Sequence, residues 1–421
     1  MKRVLFSMVL VLVASLAFAQ EKSVKEAKSI ANSPKPDFKR AEQLITGALS
    51  DASTKDNAET WNVAGFVQKR WSEEENKKIY LQQPVDTMQY YGSLLKMCQY
   101  YLKCDDLAQM PNEKGKIKNK YRKANSEAIK GELNNLINGG VEFYNNNKSK
   151  EALEFFGMYI DIAKHPMFAE TNMLKTDTMI PQIAYYASLA ANRIEDFDKV
   201  LEYAPYAEGS KEDGQYAMEL MANAYKAKGD TAQWLATLKE GLQKYPDYAY
   251  FFGHLIDYYT NNQKNDEAMQ FADEMLAKSP NNPFYLYVKG YLYHNIYSAL
   301  KVEKKNAEAS AALEKALEFY QKTIDTDPNY AEAYSNMGLI YCLQAQDYSE
   351  QATADINDPK YQQDQAALKA FYEKAKPRYE KARELKPDQR DLWLNGLHRV
   401  YYNLNMGPEF EAIDKIISGG N

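Results

Sequence analysis

The chain has 421 residues and carries 52 lysines and arginines against 58 aspartates and glutamates, a formal charge of −6. That balance argues against nucleic acid as a partner, because phosphate binding needs a basic surface. With three cysteines in all, the fold must be held by burial rather than by disulfide staples, and the chain is long enough for that.

Met1, Lys2 and Arg3 open the chain, before an apolar run from Val4 that closes on Ala17-Phe18-Ala19. A short basic region, a hydrophobic stretch too short to cross a bilayer and small residues at a cut site predict a cleavable signal peptide over residues 1–19. No cysteine follows the cut, so no lipid anchor is expected. Export of this style predicts a periplasmic protein, with secretion as the alternative. No later apolar run reaches spanning length.

Residues 20–180 predict a divergent helical arm. Trp61-x2-Ala64-Gly65 is a first-helix fragment. Cys98 and Cys104 lie on one predicted helix about 9 Å apart along its axis, too far to bridge. A dense basic stretch then follows Pro111, with Lys116, Lys118, Lys120 and Arg122 as its centre. It reads as a solvated insert between helices, and its functional alternative is contact with an acidic protein face or a phospholipid headgroup. Leu136-x2-Gly139-Gly140-x2-Phe143 and Ala152-x3-Phe156 form a helix pair with a late proline, Pro166. Ala184 to Glu202 offers another pair around Asn192, and a hinge is expected somewhere between residues 167 and 215.

Residues 181–421 predict a regular array. Phe252-x2-Leu255-Ile256-x2-Tyr259 repeats at helical spacing, and Ala268-x3-Ala272 gives a second helix that Pro280 stops. The same pattern runs from Met218-x2-Met221-Ala222-x2-Tyr225 through Trp234 to Pro246. It recurs from Leu286-x2-Lys289-Gly290-x2-Tyr293 through Ala316 to Pro328, and from Tyr334-x2-Met337-Gly338-x2-Tyr341 through Ala375 to Pro387. Trp393 starts a looser last unit. The latter two repeats carry insertions after Tyr293 and Tyr341. The first insertion looks helical, and the second includes the turn-like Asp355-Ile356-Asn357-Asp358-Pro359. Trp234 stands where a small residue is usual, which predicts a splayed or rotated pair.

These spacings resemble the tetratricopeptide repeat family. The resemblance implies an all-α, right-handed superhelical solenoid of helix–turn–helix repeats, and a concave groove lined by first helices. Candidate groove residues are Tyr250, Asp257, Phe284, Tyr287, Tyr291, His294, His398 and Tyr401. The 34 tyrosines of the chain favour an aromatic groove floor, since tyrosine offers a large rigid face with a polar tip. Chaperone-binding members of the family hold a peptide carboxylate with lysines and asparagines on successive first helices. The matching positions here carry Glu219, Asn223, Gly253 and Asp257, so a clamp of that type is not expected.

The four histidines sit on separate segments, and no metal-ligand spacing, phosphate loop or nucleophile elbow occurs. No cofactor and no enzymatic activity are expected. The functional expectation is a periplasmic scaffold binding a protein or peptide in its groove. The alternatives are a small-ligand or glycan receptor, and a structural subunit of an envelope machine. The partner and the oligomeric state are not written in the sequence.

Overall fold

The computed structural model describes residues 20–111 and 114–419; the leader expected at residues 1–19 lies outside them. Among the described residues there is no strand, and helices follow one another in antiparallel pairs. Helix α1 covers residues 20–31. After it come α2 (Phe38–Ser50), α3 (Ala58–Tyr80), α4 (Thr87–Ala108), α5 (Arg122–Asn145), α6 (Ser149–Lys164) and the single turn α7 (Met173–Thr176). They are followed by α8 (Ile180–Arg193), α9 (Phe197–Tyr203), α10 (Gly214–Ala227), α11 (Thr231–Lys244), α12 (Ala249–Asn261) and α13 (Asn265–Lys278). The last six are α14 (Pro283–Val302), α15 (Asn306–Thr326), α16 (Ala331–Ser349), α17 (Tyr361–Leu385), α18 (Leu394–Asn403) and α19 (Gly407–Ile417).

Local chemistry sets the ends of these helices. Asp37, Asn57, Asp86, Asp196, Asp230 and Asn282 each accept a backbone N–H of the first turn, satisfying donors that a helix start leaves unpaired. At the other end, Pro246, Pro280, Pro328 and Pro387 each fall two residues past the close of α11, α13, α15 and α17. The prolines of the repeat are therefore stops placed just outside the helix, where the missing N–H costs nothing.

Pairing within a repeat depends on a glycine facing an aromatic ring. A Cβ at Gly290 would lie 2.7 Å from the ring of Tyr320, and one at Gly338 2.7 Å from that of Tyr379. Gly65 faces Tyr101 and Gly140 faces Phe156 in the same way, so the worn N-terminal pairs use the device of the regular ones. The two helices approach closely because one side has no side chain at the crossing.

The chain separates into two compact units between Phe251 and Phe252, inside α12. Met167, Phe168, Met173, Ile180, Ile183 and Val200 all belong to one buried cluster that runs from Leu94 to Ala224, so the irregular connection between α6 and α8 is packed. Cys98, Cys104 and Cys342 are free and buried, and burial pushes the Cys104 and Cys342 thiols up, to about 12 and about 11.

The two insertions lengthen helices, and the second also adds the connection over residues 350–360. Helices α14 to α17 have 20, 21, 19 and 25 residues, against 13 and 14 in α12 and α13. The extended parts lock together through Tyr297 Oη, which donates to Asp347 at 3.1 Å, and Lys301 Nζ, 2.9 Å from Asp347 and 3.0 Å from Glu350.

The turn-like segment is tied down by Asp364. Its buried carboxylate accepts from Thr353 N at 2.8 Å and Tyr348 Oη at 2.9 Å, with Lys360 Nζ at 3.3 Å. The Thr353 amide, with the tyrosine and lysine behind it, holds the Asp364 carboxyl below its ordinary value of 3.8. A depressed folded value contributes stability above pH 3.8 that is lost as the pH falls through the lower folded value. Hydrogen exchange at Thr353, measured relative to the unprotected rate at the same pH, should therefore accelerate on acidification below about pH 4. In Asp364→Asn it should be fast already at neutral pH; a Thr353 amide equally protected in that variant would remove the role.

Candidate binding surface

In the N-terminal unit a continuous row of tyrosine rings runs across the first helices of successive pairs and the turn before α12. Tyr144, near the end of α5, stands edge-on to Tyr186 of α8 at 5.7 Å between centroids. Tyr186 neighbours Tyr185 at 5.9 Å, and Tyr185 reaches Tyr216 of α10 at 6.5 Å. Tyr216 meets Tyr248 at 5.5 Å, and Tyr248 stacks on Tyr250 at 6.1 Å. The fully buried Phe156 backs the row at Tyr186, 5.8 Å away. Tyr216 is 41% exposed and the other five are half-buried, so the row is anchored on the core and open on its outer side.

Polar groups fix its two ends. The Arg193 guanidinium lies 3.9 Å over the face of Tyr144. At the other end Tyr250 Oη donates to Asn223 Oδ1 at 2.7 Å, and Tyr248 Oη donates to the Glu219 carboxylate. Burial, and behind it the Glu219 charge, raises both the Tyr248 and Tyr250 phenols. Burial and then Asp213 raise Tyr185. Asn223 and Glu219, two of the positions the sequence comparison with a carboxylate clamp singled out, are thus each engaged by a tyrosine of the next repeat.

The residues singled out from the sequence fall in both units. Tyr250 belongs to the row just described. In the second unit Asp257 is exposed on α12, and Phe284 packs edge-on against Phe252 at 5.7 Å. Tyr287 is half-buried between Tyr320 and Tyr330, its Oη accepting from Asn336 Nδ2 at 3.0 Å. Tyr291, on the same stripe of α14, is 38% exposed. His294 sits half-buried beside Tyr297, and desolvation lowers its pKa. On α18, His398 stacks near Phe410 at 4.6 Å and lies 3.4 Å from Asp414. Tyr401 is 4% exposed, which makes it core rather than groove floor. Its phenol, pushed up to about 12 by burial and Glu380, donates to Glu380 at 3.1 Å.

The basic insert divides into two kinds of residue. Lys116, Lys118 and Lys120 are exposed, with Lys120 Nζ 5.0 Å over the Tyr121 ring. Arg122 instead points inward. Its Nε and Nη2 donate to the two oxygens of Asp105 at 2.9 and 2.6 Å, and Asn119 donates to the same carboxylate at 2.6 Å. Asp105 is 1% exposed, so Arg122 neutralises a buried charge and closes the insert onto α4.

Tyr144, Tyr185, Tyr186, Tyr216 and Tyr248 were not anticipated from the sequence. One signal was available. Tyr216 precedes Met218 by two residues, as Tyr250 precedes Phe252 and Phe284 precedes Leu286, so register alone puts Tyr216 beside Tyr250.

Among the described residues no group of three or more His, Cys, Asp or Glu side chains is placed to hold a metal ion, and no helix is long and apolar enough to cross a membrane. No protein-family model and no curated protein matches the chain. Solved structures similar to it include a tetratricopeptide-repeat protein of Bacteroides fragilis, 17% identical over 68% of this chain and 98% of that one, with a TM-score of 0.28. The C-terminal part of a tetratricopeptide-repeat protein of Cytophaga hutchinsonii is 16% identical over 65% and 91%, with a TM-score of 0.35. A human IFIT1 dimer with m7Gppp-AAAA is 15% identical over 90% and 85%, with a TM-score of 0.30. Scores this low establish no correspondence of residues or ligands.

Proposed function

We propose that this chain, an array of tetratricopeptide-type helix pairs, is a non-enzymatic scaffold that binds a protein segment along the tyrosine row of its N-terminal unit. The observation that carries the reading is the continuity of six half-buried to exposed rings across α5, α8, α10 and the start of α12. Rings anchored at their base and open at their edge give a preformed surface on which a partner loses little side-chain entropy. An acidic protein without a phosphate loop favours a protein segment over nucleic acid. The leader-like residues 1–19 support a periplasmic site of action.

Photo-crosslinking tests the surface. Benzoylphenylalanine in place of Tyr216 should yield an adduct whose attached peptide is one defined sequence. The same group at Lys239, on the exposed side of α11, should not. Tyr185→Ala with Tyr248→Ala should weaken the Tyr216 adduct at least about tenfold, as loss of two aromatic anchors does. Equal adducts at both positions would remove the row as a binding surface. An adduct to a glycan or a small ligand would move the reading to a receptor.

A further inference from the structure

The charges that accompany the row bear on what it takes. Carboxylates lie beside its open stretch: Glu219, bonded to Tyr248, and Asp213, at the start of α10, three residues before Tyr216. At its far end the protein seats a cation of its own, the Arg193 guanidinium on the face of Tyr144. That contact is an internal example of the chemistry the rest of the row offers, a tyrosine face for a guanidinium or ammonium. It is reinforced at Tyr216 and Tyr248 by carboxylates that can take a charge-assisted hydrogen bond.

Spacing adds a second constraint. Successive rings are 5.5 to 6.5 Å apart, and two residues of an extended chain advance about 6.7 Å. An extended segment laid along the row would present every second side chain at close to the spacing of successive rings. We infer that the row binds an extended protein segment carrying arginine or lysine at alternate positions. This rests on the reading of the row as the binding surface and adds the chemistry of its ligand.

Fluorescence anisotropy of the full-length protein with short labelled peptides tests it. One peptide alternates arginine and serine, one alternates glutamate and serine, and one has the arginines in a block. The alternating arginine peptide should bind at least about tenfold more tightly than the other two, and should weaken as salt rises from about 0.05 to about 0.5 M. Glu219→Gln with Asp213→Asn keeps the size of both side chains and should lower the affinity about tenfold while the helical circular dichroism is unchanged. Tyr216→Leu, which keeps an apolar side chain at an exposed position, should lower it several-fold.

Equal binding of the glutamate peptide, or binding indifferent to both the carboxylate variants and salt, would overturn the inference. So would a block-arginine peptide that binds as well as the alternating one. The two readings fail separately. A Tyr216 crosslink to a partner sequence without such a basic segment keeps the surface and overturns its ligand chemistry. Absence of any site-specific crosslink removes the surface itself.

Discussion

Replacing Arg122 by alanine is expected to destabilise the N-terminal unit by about 2–3 kcal/mol. The Asp105 carboxylate is 1% exposed and would lose both guanidinium bonds, keeping only the amide of Asn119. Stranding a fully buried charge costs about 3–5 kcal/mol. The Arg122 side chain is itself 35% exposed, so water entering from that side replaces part of what is lost. Thermal unfolding should shift downward by roughly 5–10 °C. Arg122→Lys should recover only part of this, because an ammonium does not reproduce the two-pronged contact. Asp105→Asn placed in the Arg122→Ala background should recover most of it by removing the stranded charge. A single Arg122→Ala variant that unfolds like the parent would mean that the insert does not need its anchor.

That experiment separates Arg122 from the lysines with which the sequence groups it. Four basic residues at alternate positions look equivalent on the page, and nothing in their spacing shows that one of them faces a buried acid on α4. Long-range pairing of that kind is invisible to local pattern. The architecture was far more legible. Glycine opposite an aromatic, and proline two residues past a helix, are local requirements of close helix pairing, so they recur wherever the pairing does. Even the insertions were readable in part, since the Ala, Glu and Leu content around Ala307 to Tyr320 suits the helix extension it becomes.

The tyrosine row was harder to read. Tyr144, Tyr185 and Tyr186 lie in pairs whose register is worn, and Tyr248 precedes the first residue of α12, where helical periodicity no longer places a side chain. Tyr216 was within reach, by its offset from Met218. The stripe that periodicity did find on α14 holds Tyr287 among Tyr320, Tyr330 and Asn336, because repeat neighbours claim a ring as readily as a ligand does.

Tyr379→Ala should have the largest effect in the C-terminal unit, about 3–5 kcal/mol. Tyr379 is 5% exposed and fills two recesses at once, one left by Gly338 of α16 and one by Gly396 of α18. Its removal opens a cavity facing both α16 and α18. Tyr379→Phe keeps the ring and should cost far less. The two glycines supply the converse test. Gly338→Ala should cost about 1–3 kcal/mol by overpacking, since its Cβ would lie 2.7 Å from the ring. The ring cannot yield toward α18, because Gly396 is equally tight against it. Gly338→Ala with Gly396→Ala should therefore exceed the sum of the single effects, pinching one ring from two sides. Adding Tyr379→Leu should relieve that excess, because the smaller side chain clears both new methyl groups. Additive glycine effects in urea unfolding would show instead that α16 and α18 move apart independently, and that the ring does not couple the repeats.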